Sequence, residues 1–457
     1  MKIIRGLKSG ALLQRDENDV CTCYFTAEAS GKIRSTLGQV TENGAGRYAL
    51  TGIPVGGPYD FTLSDDMGSV ELKDVYVGDL WMLGGQSNME GAGKMREKNW
   101  KYDENPIQNI RAYYMNDTWD VAKSQLHQLW DCPEKCVSGF YREYHKNSPW
   151  GREYPEVQND GVGPGLFFAI EMQRWQGGVP QGVIPCGIGG ASLAQWKPDT
   201  PDNYYASALR RFHECGGVVK GVFWYQGCSQ CSDGGVQAFV DDMKVLVAGM
   251  RKDYGNPNLP FVQVQLNKCL IDFGDGDYTD RVYSGIREKQ RTLANEIPNL
   301  TTVSAVDCEL EDLIHISSES HEKVGCRAAE AMCVLLGEEG VPYPDLDYIE
   351  IVEDDFVPFR VSLIVHYKNI VGELQSKDYP WGFYIHKEAD KPHVRGISRL
   401  YVHGDSVRVK LETNPEELPE WYISYAYGNT YYCNITDSAG RAIPAFGPLK
   451  IKDYLKK

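Results

Sequence analysis

Four short blocks of this 457-residue chain hold the residue types that an acyl transfer needs. In the first, Leu80–Trp81–Met82–Leu83–Gly84–Gly85–Gln86–Ser87–Asn88–Met89, an apolar run stops at two glycines and a serine follows. A serine hydroxyl becomes a nucleophile when a base can take its proton. By itself, Gly-Gly-x-Ser fits equally well a serine that caps the next helix. The second block is Gly187–Ile188–Gly189–Gly190–Ala191–Ser192, where backbone N–H groups can approach a ligand, although a plain turn has the same composition. The third is Phe223–Trp224–Tyr225–Gln226–Gly227, whose Gln226 amide can donate to a developing oxyanion or bond its own loop. The fourth is Asp312–Leu313–Ile314–His315. A carboxylate three residues before a histidine can hold Nδ1–H of the imidazole and leave Nε2 to accept a proton. The chain has nine histidines, so an isolated Asp-x-x-His is a common coincidence, and His321 is a nearby decoy.

The elements around these blocks place three of them at strand ends and the fourth, Asp312–His315, just before a helix that begins near Ser318–His321. Tyr76–Leu83, Val179–Cys186, Gly221–Tyr225, Phe261–Leu266 and Leu300–Ala305 read as buried strands. Amphipathic stretches near Gly165–Gln176, Tyr204–Glu214, Val236–Lys252, Gly285–Ile297 and Glu322–Leu336 read as helices. This alternation predicts an α/β fold, a parallel sheet flanked by helices, over residues 76–344. The first three blocks then fall at carboxyl ends of strands, the usual ligand edge of such sheets. Residues 1–75 show short alternating segments between turns (Cys21–Ala27, Arg47–Leu50, Tyr59–Leu63) and read as an N-terminal β domain. The β pattern returns over 345–457, in Phe359–Tyr367, Val394–Leu411 and Trp421–Tyr427. A polar, Trp- and Tyr-rich excursion over 97–160, running past Trp150, reads as an insertion overhanging the carboxyl edge, with aromatics that suit sugar faces or a core.

Composition excludes several classes. A net charge of −16 argues against binding a phosphate backbone. No segment has the roughly 18 consecutive apolar residues of a membrane span. The start, Met1–Lys2–Ile3–Ile4–Arg5, lacks an apolar core of signal-peptide length, so a cytoplasmic protein with reduced thiols is expected. Cys228 and Cys231 form a Cys-x-x-Cys with no second knuckle or histidine pair at zinc spacing, so neither metal nor cofactor is expected.

Gly-x-Ser-x-Gly, the mark of α/β-hydrolases, is absent around Ser87, and acid and base are close neighbours late in the domain. Instead, Gly85–Gln86–Ser87–Asn88–Met89, Gly189–Gly190–Ala191–Ser192, Trp224–Tyr225–Gln226–Gly227 and Asp312-x-x-His315 resemble the SGNH hydrolases, in particular the branch of sialate O-acetylesterases and related carbohydrate acetylesterases. Gly56–Gly57–Pro58–Tyr59, Asp74–Val75–Tyr76–Val77–Gly78–Asp79 and Lys323–Val324–Gly325–Cys326–Arg327 are also similar, and Tyr425–Ala426–Tyr427–Gly428 more weakly so. The resemblance implies a three-layer fold and a metal-independent serine esterase. Ser87 is then nucleophile, His315 base and Asp312 its orienting acid, and the oxyanion hole comprises the Ser87 N–H, Gly190 and Gln226. Gln86, Trp224 and Arg287 are candidates for substrate contact, with Arg111 the other arginine that could meet a sialate carboxylate. Two departures stand out: Cys228 where many relatives have glutamate, and Ile316 where many have proline. The implied substrate is an O-acetylated sugar, sialic acid first and xylan or mannan fragments second. A carbohydrate-binding protein without activity is the reading from another class.

Overall fold

The computed structural model describes residues 1–139, 160–271, 275–353, 360–389, 391, 393–394 and 396–456. Residues 140–159 of the excursion expected over 97–160, including Trp150, lie outside the described residues, as does Phe359. The chain forms two compact units interleaved along its sequence. One holds Met1–Gln226, Asp242–Phe261 and His321–Glu330; the other holds Gly227–Asp241, Val262–Ser320 and Ala331–Lys457.

The first unit opens with strands β1 (Lys2–Arg5), β2 (Leu12–Gln14), β3 (Val20–Glu28), β4 (Gln39–Glu42), β5 (Arg47–Pro54), β6 (Gly56–Ser64) and β7 (Ser69–Gly85). Strands β1, β3, β5 and β4 pair antiparallel in that order. In β3 the buried Cys21, Cys23, Phe25 and Ala27 alternate with more exposed neighbours, the period of a half-buried strand. Strand β7 is 17 residues long, far longer than the apolar run that signalled it. Its first half pairs antiparallel with β6, and around Tyr76–Gly78 it lies parallel to β2. The polar interruption at Asp79 has a physical reason. Its fully buried carboxylate takes two bonds from the Arg15 guanidinium, at 3.0 and 2.9 Å, and one from Gln14. A paired, hydrogen-bonded charge can be buried where a lone one cannot.

Beyond β7 come α1 (Ser87–Glu90), β8 (Ile110–Tyr113), β9 (Trp119–Val121), α2 (Gly165–Trp175), β10 (Gln181–Pro185), α3 (Tyr204–Glu214), β11 (Gly221–Tyr225) and α4 (Asp233–Asp253). Strand order is β9–β8–β10–β7–β11. β8, β10, β7 and β11 run parallel and β9 antiparallel, so the sheet is mixed at its edge. The expected strands and helices appear here with small shifts of boundary. The excursion after the serine strand differs from expectation, because β8 and β9 within it belong to the sheet itself. Helix α2 buries Phe168 edge-on against Trp81 and stacked on Phe223, which fixes the helix layer over β7 and β11.

Further along the chain, β12 (Phe261–Gln265) lies beside β13 (Leu300–Ser304), and helices α5 (Gly276–Thr292) and α6 (Ser318–Leu335) follow the α/β pattern; β13 and α5 belong wholly to the second unit, β12 does so from Val262 on, and α6 is shared between the units. The C-terminal strands are β14 (Asp345–Glu353), β15 (Arg360–Lys368), β16 (Phe383–His386), β17 (Ile397–His403), β18 (Ser406–Glu412), β19 (Tyr422–Tyr425) and β20 (Phe446–Lys450). They form the sheets β14–β15–β18–β17 and β16–β19–β20 around a core that includes Leu363, Val365, Val407, Ile385 and Ile423.

Candidate active site

The turn after β7 decides what Ser87 can do. Gly85 has φ +137°, and a Cβ there would sit 2.2 Å from the Tyr225 carbonyl oxygen, so only glycine fits. The Gln86 N–H donates to that same carbonyl at 2.9 Å. One helical turn follows, with Met89 and Glu90 N–H groups donating to the Gln86 carbonyl at 2.8 and 3.0 Å. Gln86, not Ser87, occupies the N-cap position, so the capping role that Gly-Gly-x-Ser alone allows is not the one taken. Ser87 is half-buried, and its hydroxyl makes no hydrogen bond to the other described residues of its unit.

Hydrogen bonds draw the second and third blocks onto this turn. The Ile188 N–H donates to the Gly85 carbonyl at 3.2 Å, and a Cβ on Gly187 would lie 2.9 Å from the Glu90 nitrogen. The Gly189 N–H donates to Glu90 Oε2 at 2.7 Å, with Gly190 next to it and exposed. Gln226 is fully buried and its Nε2 donates to the Ala191 carbonyl at 3.2 Å, which ties the third block to the second. Ser87, Gly187–Ala191 and Gln226 thus converge at the carboxyl ends of the parallel strands β7, β10 and β11.

The fourth block belongs to the second unit. Its backbone folds as a tight loop: the Glu311 N–H donates to the His315 carbonyl at 2.8 Å, and Ser317 N–H to the Glu309 carbonyl at 2.9 Å. Within it, His315 Nδ1 lies 2.7 Å from Asp312 Oδ2, while Asp312 Oδ1 accepts from the backbone N–H groups of Ile314 and His315, both at 2.8 Å. Burial alone would raise the Asp312 carboxyl. The bonds from the His315 ring and the two amides outweigh it and hold the group below the usual carboxylate range. A carboxylate in that state accepts from Nδ1–H, which leaves Nε2 as the proton acceptor. Ile316 is fully buried, and the Ser317 hydroxyl next to it accepts from the Ser320 N–H and caps α6.

Residues 77–334, more than half of the chain, match the family described as carbohydrate esterase, sialic acid-specific acetylesterase. The chain belongs to this carbohydrate esterase family. It is similar to a probable carbohydrate esterase from Arabidopsis thaliana, 27% identical over 269 residues that cover 55% of this chain and 89% of the relative. Its fold is that of a carbohydrate acetylesterase from Xanthomonas citri, with a TM-score of 0.72 over 97% of this chain and 99% of that one, at 20% identity.

Of the candidate substrate contacts, Arg287, Arg111 and Trp224 are all buried. Arg287, on α5, is fully buried and its guanidinium is spent on backbone carbonyls: Leu266 at 3.1 Å, Asn267 at 3.1 Å, and Ala426 and Gly428 at 3.2 and 2.5 Å. Arg111 is also buried, bonded to the Gly10 carbonyl and paired with Asp74 at 2.9 Å. A guanidinium so committed is not free to take a ligand carboxylate. Trp224 is fully buried with its ring edge-on to Trp196, centroids 5.0 Å apart, and serves as core instead of a sugar platform. Gln86 is buried too. Sequence reasoning missed Asn267 and Asn429. Asn267 Nδ2 donates to the Ile314 carbonyl at 3.1 Å, beside the Leu270 N–H on the Leu313 carbonyl at 2.7 Å. The Asn429 carbonyl accepts from the Cys269 N–H at 2.7 Å. Together with Arg287 they clamp the loop that carries Asp312 and His315.

Proposed function

We propose that this carbohydrate esterase is a serine O-acetylesterase of the SGNH type, with O-acetylated sialic acid as its substrate. The observation that carries the reading is the convergence of an uncapped Ser87 with the Gly187–Ala191 turn and Gln226 at one strand edge. Ser87 Oγ attacks the acetyl carbonyl carbon, and His315 Nε2 takes the hydroxyl proton. The tetrahedral oxyanion is stabilised by the Ser87 and Gly190 N–H groups and the Gln226 amide, each worth about 3 kcal/mol in comparable sites. As the intermediate collapses, the C–O bond to the sugar breaks and His315 returns the proton to the leaving sugar oxygen. Water then attacks the acetyl-enzyme with the same imidazole as base, which releases acetate and restores Ser87. Asp312 stays ionised throughout and stabilises the transient imidazolium.

The family's description supports sialic acid. The commitment of both Arg287 and Arg111 to the protein's own groups favours a second reading, a neutral acetylated oligosaccharide such as a xylan or mannan fragment. The test is acetate release from acetylated sialosides and plant oligosaccharides by wild type and Ser87→Ala. Release that prefers sialosides and is lost in the variant is expected. Release confined to plant fragments would move the substrate to the second reading. Glycan binding with no acetate release from any would leave a binding protein.

A further inference from the structure

The first unit has a second cleft, of about 420 Å³, far along the fold from Ser87. Its walls include His213 in the last turn of α3, Gly217 in the loop that leads into β11, and Asp253 at the end of α4. Gly217 precedes β11 whereas Gln226 follows it, so this cleft lies at the amino ends of the parallel strands and the Ser87 turn at their carboxyl ends. Its other wall is the N-terminal sheet. There the register sets Arg5 of β1 and Arg47 of β5 each directly opposite Thr26 of β3, on its two sides. Residues paired across strands share a face, and two strand spacings put these arginines about 10 Å apart in backbone. Tyr24, two residues before Thr26 on the same face, is exposed at 44%.

Neither Arg5 nor Arg47 makes an ion pair or a side-chain hydrogen bond among the described residues. In a chain of net charge −16, acidic partners are abundant, yet both guanidiniums are left to the cleft. Burial lowers the His213 imidazole below its ordinary range, the positive charges of Arg5 and Arg47 lower it further, and the Asp253 carboxylate opposes them without reversing the shift. The imidazole therefore enters the cleft neutral, as a donor and acceptor. Asp253 also lines it, its Oδ2 accepting from the Tyr205 hydroxyl at 2.7 Å.

We propose that this cleft is a second binding site, for a sugar bearing a carboxylate. The guanidiniums answer the carboxylate. Thr26, Asn43 and neutral His213 supply polar partners for hydroxyls, and the exposed Tyr24 ring offers an apolar face to a pyranose. The Asp253 carboxylate accepts from hydroxyl donors and repels a compact dianion, which sets a sugar acid apart from phosphate. The volume suits one or two sugar rings. The site is independent of the catalytic reading: its ligand would bind with or without turnover at Ser87.

The test is calorimetric titration of the full chain with glucuronic acid, glucose and inorganic phosphate. Wild type and Ser87→Ala are expected to bind glucuronic acid equally, with Kd of about 1 mM or tighter. Glucose and phosphate should bind at least tenfold more weakly. Arg5→Ala/Arg47→Ala should lose at least tenfold in affinity, while acetate release from a small acetyl ester stays as in wild type. Arg47→Glu, at an exposed position that leaves the fold alone, should lose as much. No binding by wild type, equal binding by Arg47→Glu, or phosphate binding as tightly as glucuronic acid would each overturn the proposal.

Discussion

At Asp312 one carboxylate serves three donors, and they divide its two oxygens between them. Oδ1 takes the two backbone amides that shape the loop, and Oδ2 takes the imidazole. Substitution by asparagine can keep one oxygen for the amides but offers an NH₂ group toward Nδ1, which favours the wrong tautomer. Asp312→Asn is expected to lower kcat by roughly 10²- to 10⁴-fold, in the range seen when an orienting acid is made neutral. Its side chain is half exposed, so the melting temperature should move little. Steady-state kinetics alongside calorimetry separates the two effects; a kcat within threefold of wild type would deny Asp312 the orienting role. Cys228 offers no substitute. Burial, with the nearby Cys269 adding to it, pushes its thiol up to about 12, and a protonated thiol is a weak acceptor.

Loops and helices fix how accurately the imidazole is held, and here the second unit has a layered support. Arg287 on α5 gathers the carbonyls of Leu266, Asn267, Ala426 and Gly428, and the Gly428 N–H in turn donates to Ser284 Oγ of the same helix at 2.8 Å. Asn267 passes that order to the Asp312–His315 loop through the Ile314 carbonyl. Asn267→Ala should therefore lower kcat about tenfold with KM unchanged, since misplacement of a reacting group by a fraction of an ångström is costly. Stability should fall by about 1 kcal/mol for the lost bond. Arg287→Lys replaces a planar fork by a point donor and strands buried carbonyls, so about 3 kcal/mol of stability should be lost. If KM rises and kcat holds in Asn267→Ala, the residue acts on binding and not on the base. None of this support shows in sequence, because a guanidinium that gathers carbonyls from distant loops has no local signature. The strands and helices that carry the four blocks were legible, since their apolar periods match what they bury. Where the pattern misled, a polar residue was being satisfied inside. Ile110–Arg111–Ala112–Tyr113 reads as part of a polar excursion, yet β8 buries Arg111 against the Tyr76 ring and Asp74. Helix α5 starts at Gly276, well before the expected Gly285, because the Asp275 side chain caps it by accepting from the Tyr278 N–H.

Over the whole molecule, stability against acid rests on imidazoles that fold into neutral form. His386 in the second unit is fully buried, its Nδ1–H donating to the Lys391 carbonyl at 3.1 Å and its Nε2 accepting from the Ser424 hydroxyl at 2.8 Å. Burial pushes it down to about 4, and it pushes His127 in the first unit down to about 3. The unfolded chain binds a proton at each near pH 6.5, so between that value and the folded ones the unfolded state holds more protons. Stability must then fall as pH drops through this window, by about 2 kcal/mol for each histidine between pH 8 and pH 5. The opposing effect is general: protonation reduces the charge of −16 and relaxes self-repulsion. Carboxylates held low, such as Asp312, contribute below this window, because their stabilisation is lost only as pH falls through their own depressed values. Comparison of His386→Gln with wild type isolates the histidine term, since both carry the same background charge. Calorimetry at pH 8 and pH 5 should show the variant losing about 2 kcal/mol less than wild type across that interval. Parallel losses in the two proteins would mean that His386 is protonated in the folded state, and that its site is wetter than its burial against Ser424 and Lys391 implies.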